Sequence, residues 1–85
     1  MRQIQEYCRR LKRLKARSLT VQLSQPERIQ LAELFRRYVS SLPPEVRKRE
    51  RLAVLGYGLV PLEQIPDLIV RDPAFANVIV TLYGG

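Results

Sequence analysis

Residues 52–70, LAVLGYGLVPLEQIPDLIV, form the most apolar stretch of the chain and decide how it folds. Pro61 and Pro66, together with the acids Glu63 and Asp67, interrupt this stretch. Proline breaks the interior of a helix, and a membrane-spanning helix needs about 20 consecutive apolar residues. The segment from Pro61 to Asp67 is therefore predicted to be a bent, buried corner and not part of one long helix or of a membrane span.

A third helix of the chain is expected just before this corner. Pro43 and Pro44 must end the preceding helix, and Pro44 can open the next one because its missing N–H is harmless in a first turn. The new helix begins polar and ends in the apolar run Leu52–Leu55, so its second half is expected to enter the core. Gly56 and Gly58 mark its end.

The second helix, from about Gln25 to Leu42, has a clear start signal. Ser24 and Glu27 have the spacing of a capping box, and Pro26 falls in the first turn. Its wide apolar face predicts that it is the central helix of the fold.

The first helix is predicted over residues 2–17, with Ile4, Tyr7, Leu11 and Leu14 at heptad spacing and Cys8 beside them. This stripe faces either the core or a partner. Between this helix and the second, residues 19–23 alternate apolar and polar side chains, which fits a short strand or a continuation of the helix, with a simple connector as the intermediate interpretation.

The last helix is predicted from Pro73 to Tyr83. The β-branched run at 78–81 is typical of a strand. Against it, Asp72 is a good N-cap, Pro73 suits the first helical position and Gly84 lies just past the end. The apolar residues after Asp72 also recur with the period of a helix.

The chain is thus predicted to be a single all-α domain, residues 1–85, in which about four helices form a small bundle around the proline-rich corner. The basic amphipathic helix 2–17 is a candidate docking arm. The residues expected inside are Phe35, Val39, Leu52, Leu55, Ile65, Leu68, Phe75, Val78 and Leu82.

Residues 55–67, LGYGLVPLEQIPD, resemble the signature of the small YkvA-like domain family, whose function is unknown. The resemblance covers about residues 52–80 and implies a compact all-helical hairpin, in which a helix ends in a tyrosine-containing turn before the corner. Glu63 stands where the family usually has aspartate. A later aspartate pair of the family falls on Ala76 and Asn77, so both of those acids are absent.

The composition argues against catalysis. The chain has no histidine and one cysteine, Cys8, so it lacks the usual neutral-pH general base and the ligands of a zinc site. Glu63 and Asp67 are expected to cap or to form ion pairs, and a metal site is the less favoured alternative. We therefore expect no enzyme activity, no cofactor, no metal and no small-molecule substrate. One cysteine and the lack of a signal peptide predict a cytoplasmic protein.

Positive charge is concentrated at the N-terminus. The net charge is +7, of which residues 1–17 carry +6 and the remaining residues +1. The first helix is therefore the predicted partner-binding surface. Its candidate residues are Tyr7, Arg9, Arg10, Leu11, Lys12, Arg13, Leu14, Lys15 and Arg17. A second basic patch comprises Arg47, Lys48, Arg49 and Arg51.

Three kinds of partner fit such a surface. The favoured hypothesis is a small interaction or assembly module that docks on an acidic protein, or on a second copy of itself, through the first helix. The alternative is a nucleic-acid-binding protein that uses both basic patches on phosphates, although aromatic side chains are not interleaved with the basic residues. An anionic membrane surface is less favoured, because the apolar stripe is thin and lacks Trp and Phe.

Overall fold

The structure is a computed structural model that describes residues 2–15 and 22–84, except for the side chain of Lys15. It is mostly helical, with a small two-stranded sheet, so the predicted all-α class holds in outline. The helices are α1 (Arg2–Lys15), α2 (Gln25–Ser41), α3 (Pro44–Arg49), a 3-10 helix (Leu62–Gln64), α4 (Ile65–Arg71) and α5 (Pro73–Gly84). The strands are β1 (Arg51–Val54) and β2 (Gly58–Pro61).

Helix α1 packs mainly on α5, and α2 packs mainly on α4. Ile4, Cys8 and Leu11 of α1 are buried, so most of the predicted stripe of the first helix faces the core of its own chain. Leu14 is the exception, because 69% of its surface remains exposed. In the described residues α1 is thus an integral part of the bundle and not a separate arm.

The start of α2 agrees with its predicted capping box. The backbone N–H of Glu27 donates to Oγ of Ser24 over 3.3 Å, and the N–H of Ser24 donates to Oε1 of Glu27 over 2.8 Å. These bonds satisfy N–H groups that the helix itself leaves without partners. Just before α2, Gln22 and Leu23 are irregular, which excludes a strand there; residues 19–21 of the proposed strand lie outside the described part.

The predicted long third helix is wrong. Helix α3 ends at Arg49, and the apolar run that was expected to continue it forms strand β1. β1 pairs antiparallel with β2, with Leu52 opposite Val60 and Ala53 opposite Leu59. The turn between the strands contains Gly56 with φ +86° and is followed by Gly58 with φ +73°, backbone conformations that glycine adopts without strain. Gly56 and Gly58 therefore shape a hairpin and do not end a helix.

The pairing also determines which side chains of the hairpin are buried. Val54 and Val60 face the core, and Leu52 beside them is half-buried. Ala53 and Leu59 lie on the other face and are exposed. This alternation is that of a half-buried sheet. The helix that the YkvA-like resemblance implies before the tyrosine-containing turn is therefore replaced by a β-hairpin.

The corner is a compact succession of short elements. After Pro61 the chain makes one turn of 3-10 helix and continues directly into α4, with Pro66 in the first turn of that helix. Leu62, Ile65 and Pro66 are buried, as expected for a buried corner. The description as about four helices missed α4, because the prolines that interrupt the apolar run fit the first turn of a short helix.

Helix α5 begins where the sequence predicts. Oδ1 of Asp72 accepts hydrogen bonds from the backbone N–H groups of Ala74, over 3.0 Å, and Phe75, over 3.3 Å. Pro73 occupies the first helical position. The helical period therefore prevails over the β-branched run, and the helix includes Gly84 as its last residue.

Most of the predicted core residues are inside. Phe35, Val39, Ile65 and Phe75 are buried, whereas Leu52, Leu68 and Val78 are half-buried. Two predictions are wrong: Leu55 is 85% exposed and Leu82 is 49% exposed. Leu55 lies in the turn of the hairpin because the third helix does not form, and Leu82 lies on the outer side of α5.

Candidate functional site

The exposed side of α1 carries Arg9, Arg10, Lys12 and Arg13, which all lie outside the buried stripe. Arg37 of α2 lines the same region. We call these five residues the basic face. The nearby acid Glu6 pairs with Arg2, at 3.3 Å between Nε and Oε1. Among the described residues, no carboxylate lies within ion-pair distance of the basic face.

One cleft of about 640 Å³ lies between α1 and the end of α5. It is lined by Glu6, Arg9, Lys12, Arg13 and Gly84. Gly84 allows the two helices to approach closely, because a Cβ atom at this position would lie 3.0 Å from the carbonyl oxygen of Cys8. Three cations therefore border this α1–α5 cleft, with one carboxylate, Glu6, that is already paired.

A second cleft of about 490 Å³ lies between α1 and α2. Its lining comprises Gln3, Glu6, Tyr7, Arg10, Arg13, Gln30, Leu34 and Arg37. Arg13 borders both clefts, so the basic face is continuous across α1. A chain-like polyanion could contact cations on both sides of the helix.

Tyr7 and Arg10 form a pair inside this α1–α2 cleft. The Cζ atom of Arg10 lies 5.4 Å from the centroid of the Tyr7 ring, which is a cation–π geometry. Burial, followed by the negative charge of Glu27, raises the pKa of Tyr7 although Arg10 opposes the shift. The phenol is therefore neutral at physiological pH.

The other predicted residues of the first helix divide into two groups. Leu11 is 2% exposed and Tyr7 is half-buried, so only Leu14 of the three presents a large apolar surface. Arg17 and the side chain of Lys15 lie outside the described part of the chain. Arg37 was not among the predicted site residues. The one sequence signal for it was its spacing of three from the half-buried Leu34 on α2, which places both side chains on one side of that helix.

The residues of the second predicted basic patch do not line the two clefts beside α1. Arg47 is half-buried beside Glu63 and Asp67, where its Nε has no hydrogen-bond partner. Arg51 folds back and donates to the carbonyl oxygen of Lys48 over 3.1 Å. Lys48 and Arg49 are exposed on α3. The clefts beside α1 are instead bordered by α1, α2 and α5.

Of the two acids in the corner, Asp67 forms an ion pair. Oδ1 of Asp67 lies 3.4 Å from Nη2 of Arg36, so Asp67 forms an ion pair with α2 and not with α3 or Arg71. Glu63 is exposed and borders a small pocket that also contains Arg36 and Arg47. Within residues 2–15 and 22–84 there is no group of three or more His, Cys, Asp or Glu side chains that could hold a metal ion.

Cys8 is buried in the core at 0% exposure. Burial raises its pKa to about 12, so the thiolate that a nucleophile requires is scarce at neutral pH. This side chain is therefore a packing residue in the folded protein.

An apolar groove of about 350 Å³ lies between the hairpin and α5. It is lined by Leu55, Asn77, Val78, Thr81 and Leu82. This surface was not predicted from the sequence, because Leu55 and Leu82 were expected in the core. The position of Leu55 next to Gly56 was the signal for a turn.

None of the described helices combines the length and the apolar character that crossing a membrane requires. Comparison of the chain with protein families, with curated proteins and with solved structures found no match. The resemblance of residues 55–67 to YkvA-like domains therefore stays a prediction from that segment.

Proposed function

We propose that this protein is a small, non-catalytic interaction module that binds nucleic acid through the phosphate groups. The observation that carries the proposal is the basic face, in which five exposed cations from α1 and α2 have no carboxylate partner among the described residues. Arginine suits phosphate especially well, because its planar guanidinium can donate two parallel hydrogen bonds to the oxygens.

The burial of Leu11 favours nucleic acid over an acidic protein. The centre of a protein–protein interface is usually apolar and aromatic, whereas protein–DNA interfaces are more polar and more positively charged. Because α1 uses Ile4, Cys8 and Leu11 within its own core, its outer side offers mainly charge. The clefts beside α1 then supply concave surfaces for the backbone of a polyanion.

The test measures binding of a fluorescent oligonucleotide by anisotropy at several salt concentrations. Binding should weaken as salt rises, so a plot of log K against log salt concentration has a negative slope. Each phosphate contact is expected to make that slope more negative by about 0.7 for a single strand and about 0.9 for a duplex. The double variant Arg9→Glu/Arg13→Glu should lose most of the binding. Lys48→Glu/Arg49→Glu, which changes the net charge equally on α3, is the matched control and should retain it.

Two results would contradict the proposal. One is the absence of binding even at low salt, measured with protein that is folded by circular dichroism. The other is an equal loss in the α1 and α3 variants, which would mean that overall charge and not the basic face governs binding.

Docking of α1 on an acidic protein or on a second copy of the chain is the second candidate. It is favoured by Leu14, which is 69% exposed near the end of α1 and could serve as an apolar anchor. Under this proposal the purified protein self-associates in light scattering, or binds an acidic peptide, and Leu14→Asp weakens that association. A strictly monomeric protein without affinity for acidic peptides would exclude it.

A further inference from the structure

We infer that the Tyr7–Arg10 pair is a stacking platform for one unpaired base, so that the ligand of the basic face is single-stranded nucleic acid. This inference rests on the nucleic-acid binding proposed above and adds the ligand class. It derives from the α1–α2 cleft, which holds an aromatic ring and a guanidinium next to additional cations.

The guanidinium of Arg10 is a planar group that lies over the Tyr7 ring and that the protein itself does not use for hydrogen bonds or ion pairs among the described residues. The guanidinium carbon of Arg10 lies 5.4 Å from the centroid of the Tyr7 ring, so the ring supports the guanidinium from one side. Arg10 is exposed, and among the described residues it makes no hydrogen bond or ion pair. Bases of single strands stack on aromatic rings and on guanidinium planes in this way.

Apart from Leu34 and Glu6, whose carboxylate pairs with Arg2, the other residues of the cleft suit the phosphates and the base edge of a nucleotide. Arg13 and Arg37 border it and can contact the phosphates on either side of the stacked base. Gln3 and Gln30 add side-chain amides, which can both donate and accept hydrogen bonds at the edge of a base. The cleft volume of about 490 Å³ is within the range of small-molecule sites.

Duplex nucleic acid could not use this platform. Its bases are paired and stacked on each other, so only the backbone and the groove edges are accessible to the cations. The basic face alone would bind a duplex and a single strand through phosphate. The platform adds affinity only where a base can leave its stack.

The experiment compares an oligothymidylate with an abasic deoxyribose-phosphate tract of the same length, so that charge is constant and only the bases differ. One stacked base is expected to make the oligothymidylate bind about 5- to 150-fold more tightly. Arg10→Lys keeps the charge but removes the flat guanidinium, and should reduce this ratio towards one. Arg9→Lys, in the α1–α5 cleft, is the matched control and should leave the ratio unchanged.

Tyr7 is tested with a conservative pair of variants. Tyr7→Phe keeps the ring and should preserve the ratio, whereas Tyr7→Leu should lower it, with thermal unfolding used to confirm that both proteins are folded. If Tyr7→Leu is unfolded, the Arg10→Lys result decides.

The outcomes separate the two proposals. Equal binding of both tracts, with a steep dependence on salt, overturns the platform but leaves phosphate binding intact. Failure of both tracts to bind at low salt overturns both. A ratio that Arg9→Lys lowers as much as Arg10→Lys also overturns the platform, because the effect would then not depend on Tyr7.

Discussion

The phenolic hydroxyl of Tyr57 donates a 2.8 Å hydrogen bond to Oδ2 of Asp72, the residue whose other carboxylate oxygen caps α5. The Tyr57 ring also meets the ring of Phe75 edge-on, with 5.0 Å between centroids. One carboxylate thus joins the turn of the hairpin to the start of α5. The hydrogen bond from Tyr57, followed by the bond from the N–H of Phe75, lowers the pKa of Asp72. The hydrogen bond between Tyr57 and Asp72 also raises the pKa of Tyr57.

This pair predicts a defined dependence of stability on pH. Because folding lowers the pKa of Asp72, the ionised carboxylate stabilises the folded state. This stabilisation is fully present above the ordinary pKa of about 4 and is lost as the pH falls through the lowered pKa of the folded state. Because folding raises the pKa of Tyr57, the stabilisation from its protonated hydroxyl is fully present below the ordinary pKa of about 10. It is lost as the pH rises through the raised pKa of the folded state. Tyr57→Phe should therefore lower Tm at neutral pH, and its difference from the wild type should shrink in acid.

Thermal unfolding of both proteins across the pH range measures this difference. Tyr38→Phe is the control, because the Tyr38 hydroxyl has no carboxylate partner among the described residues. A Tyr57→Phe deficit that stays constant into strong acid would contradict the role of the hydrogen bond.

Two leucines of the same helix are expected to respond differently to the same substitution. Leu11→Asp places a charge in the core and should reduce the free energy of unfolding by about 3 to 5 kcal/mol. For a domain of this size the total is only about 4 to 13 kcal/mol, so this substitution should remove a large share of the stability of the protein. Leu14→Asp, at an exposed position, should change it by no more than about 0.5 kcal/mol. Denaturant titration checks both, and a Leu11→Asp protein as stable as the wild type would mean that α1 does not pack on α5.

The thiol of Cys8 is expected to be inert in the folded state. Its burial and its pKa of about 12 leave little accessible thiolate at pH 7 to 8. Labelling with a thiol reagent should therefore be slow in buffer and fast in denaturant, at a rate that tracks opening of the core. Fast labelling of the native protein would show that the contact between α1 and α5 opens readily.

The close approach at Gly84 predicts a steric cost for alanine. A Cβ atom there would lie 3.0 Å from the carbonyl oxygen and 3.2 Å from the carbonyl carbon of Cys8, so the end of α5 or the backbone at Cys8 would have to shift by a few tenths of an ångström. Gly84→Ala should lower the free energy of unfolding by about 1 to 3 kcal/mol. Thr81→Ala, at an exposed position of the same helix, is the control and should have little effect. Equal stability of Gly84→Ala and the wild type in denaturant titration would contradict the close packing.

The elements that the sequence predicted correctly depend on neighbours along the chain. The caps at Ser24 and Asp72 need only N–H groups within three positions, so their patterns are visible without tertiary information. Residues 52–55 were assigned incorrectly because a run of four apolar residues has no period that separates helix from strand. Their strand conformation depends on pairing with β2 and on burial of Val54 and Val60.

The features of the candidate site also divide into those visible in the sequence and those that depend on how the helices pack. The cations of α1 and their bias towards the N-terminus were evident from the sequence. The approach of Arg37 was not, because it depends on how α1 and α2 pack. The spacing of three between Tyr7 and Arg10 permits contact on one helix face, but only the position of α2 makes a cleft around that pair.

The amino-acid order was enough to predict the helical class, the ends of α2 and α5, the bend at Pro61 to Asp67 and the charge of α1, because each follows from local hydrogen bonding, proline geometry or composition. Three features became visible only in the packed chain: the stripe of α1 is buried against α5, the segment before the corner is a hairpin, and Leu55 is exposed. These outcomes depend on which distant surfaces meet, and burial of apolar area between them outweighs the small local preferences of short segments.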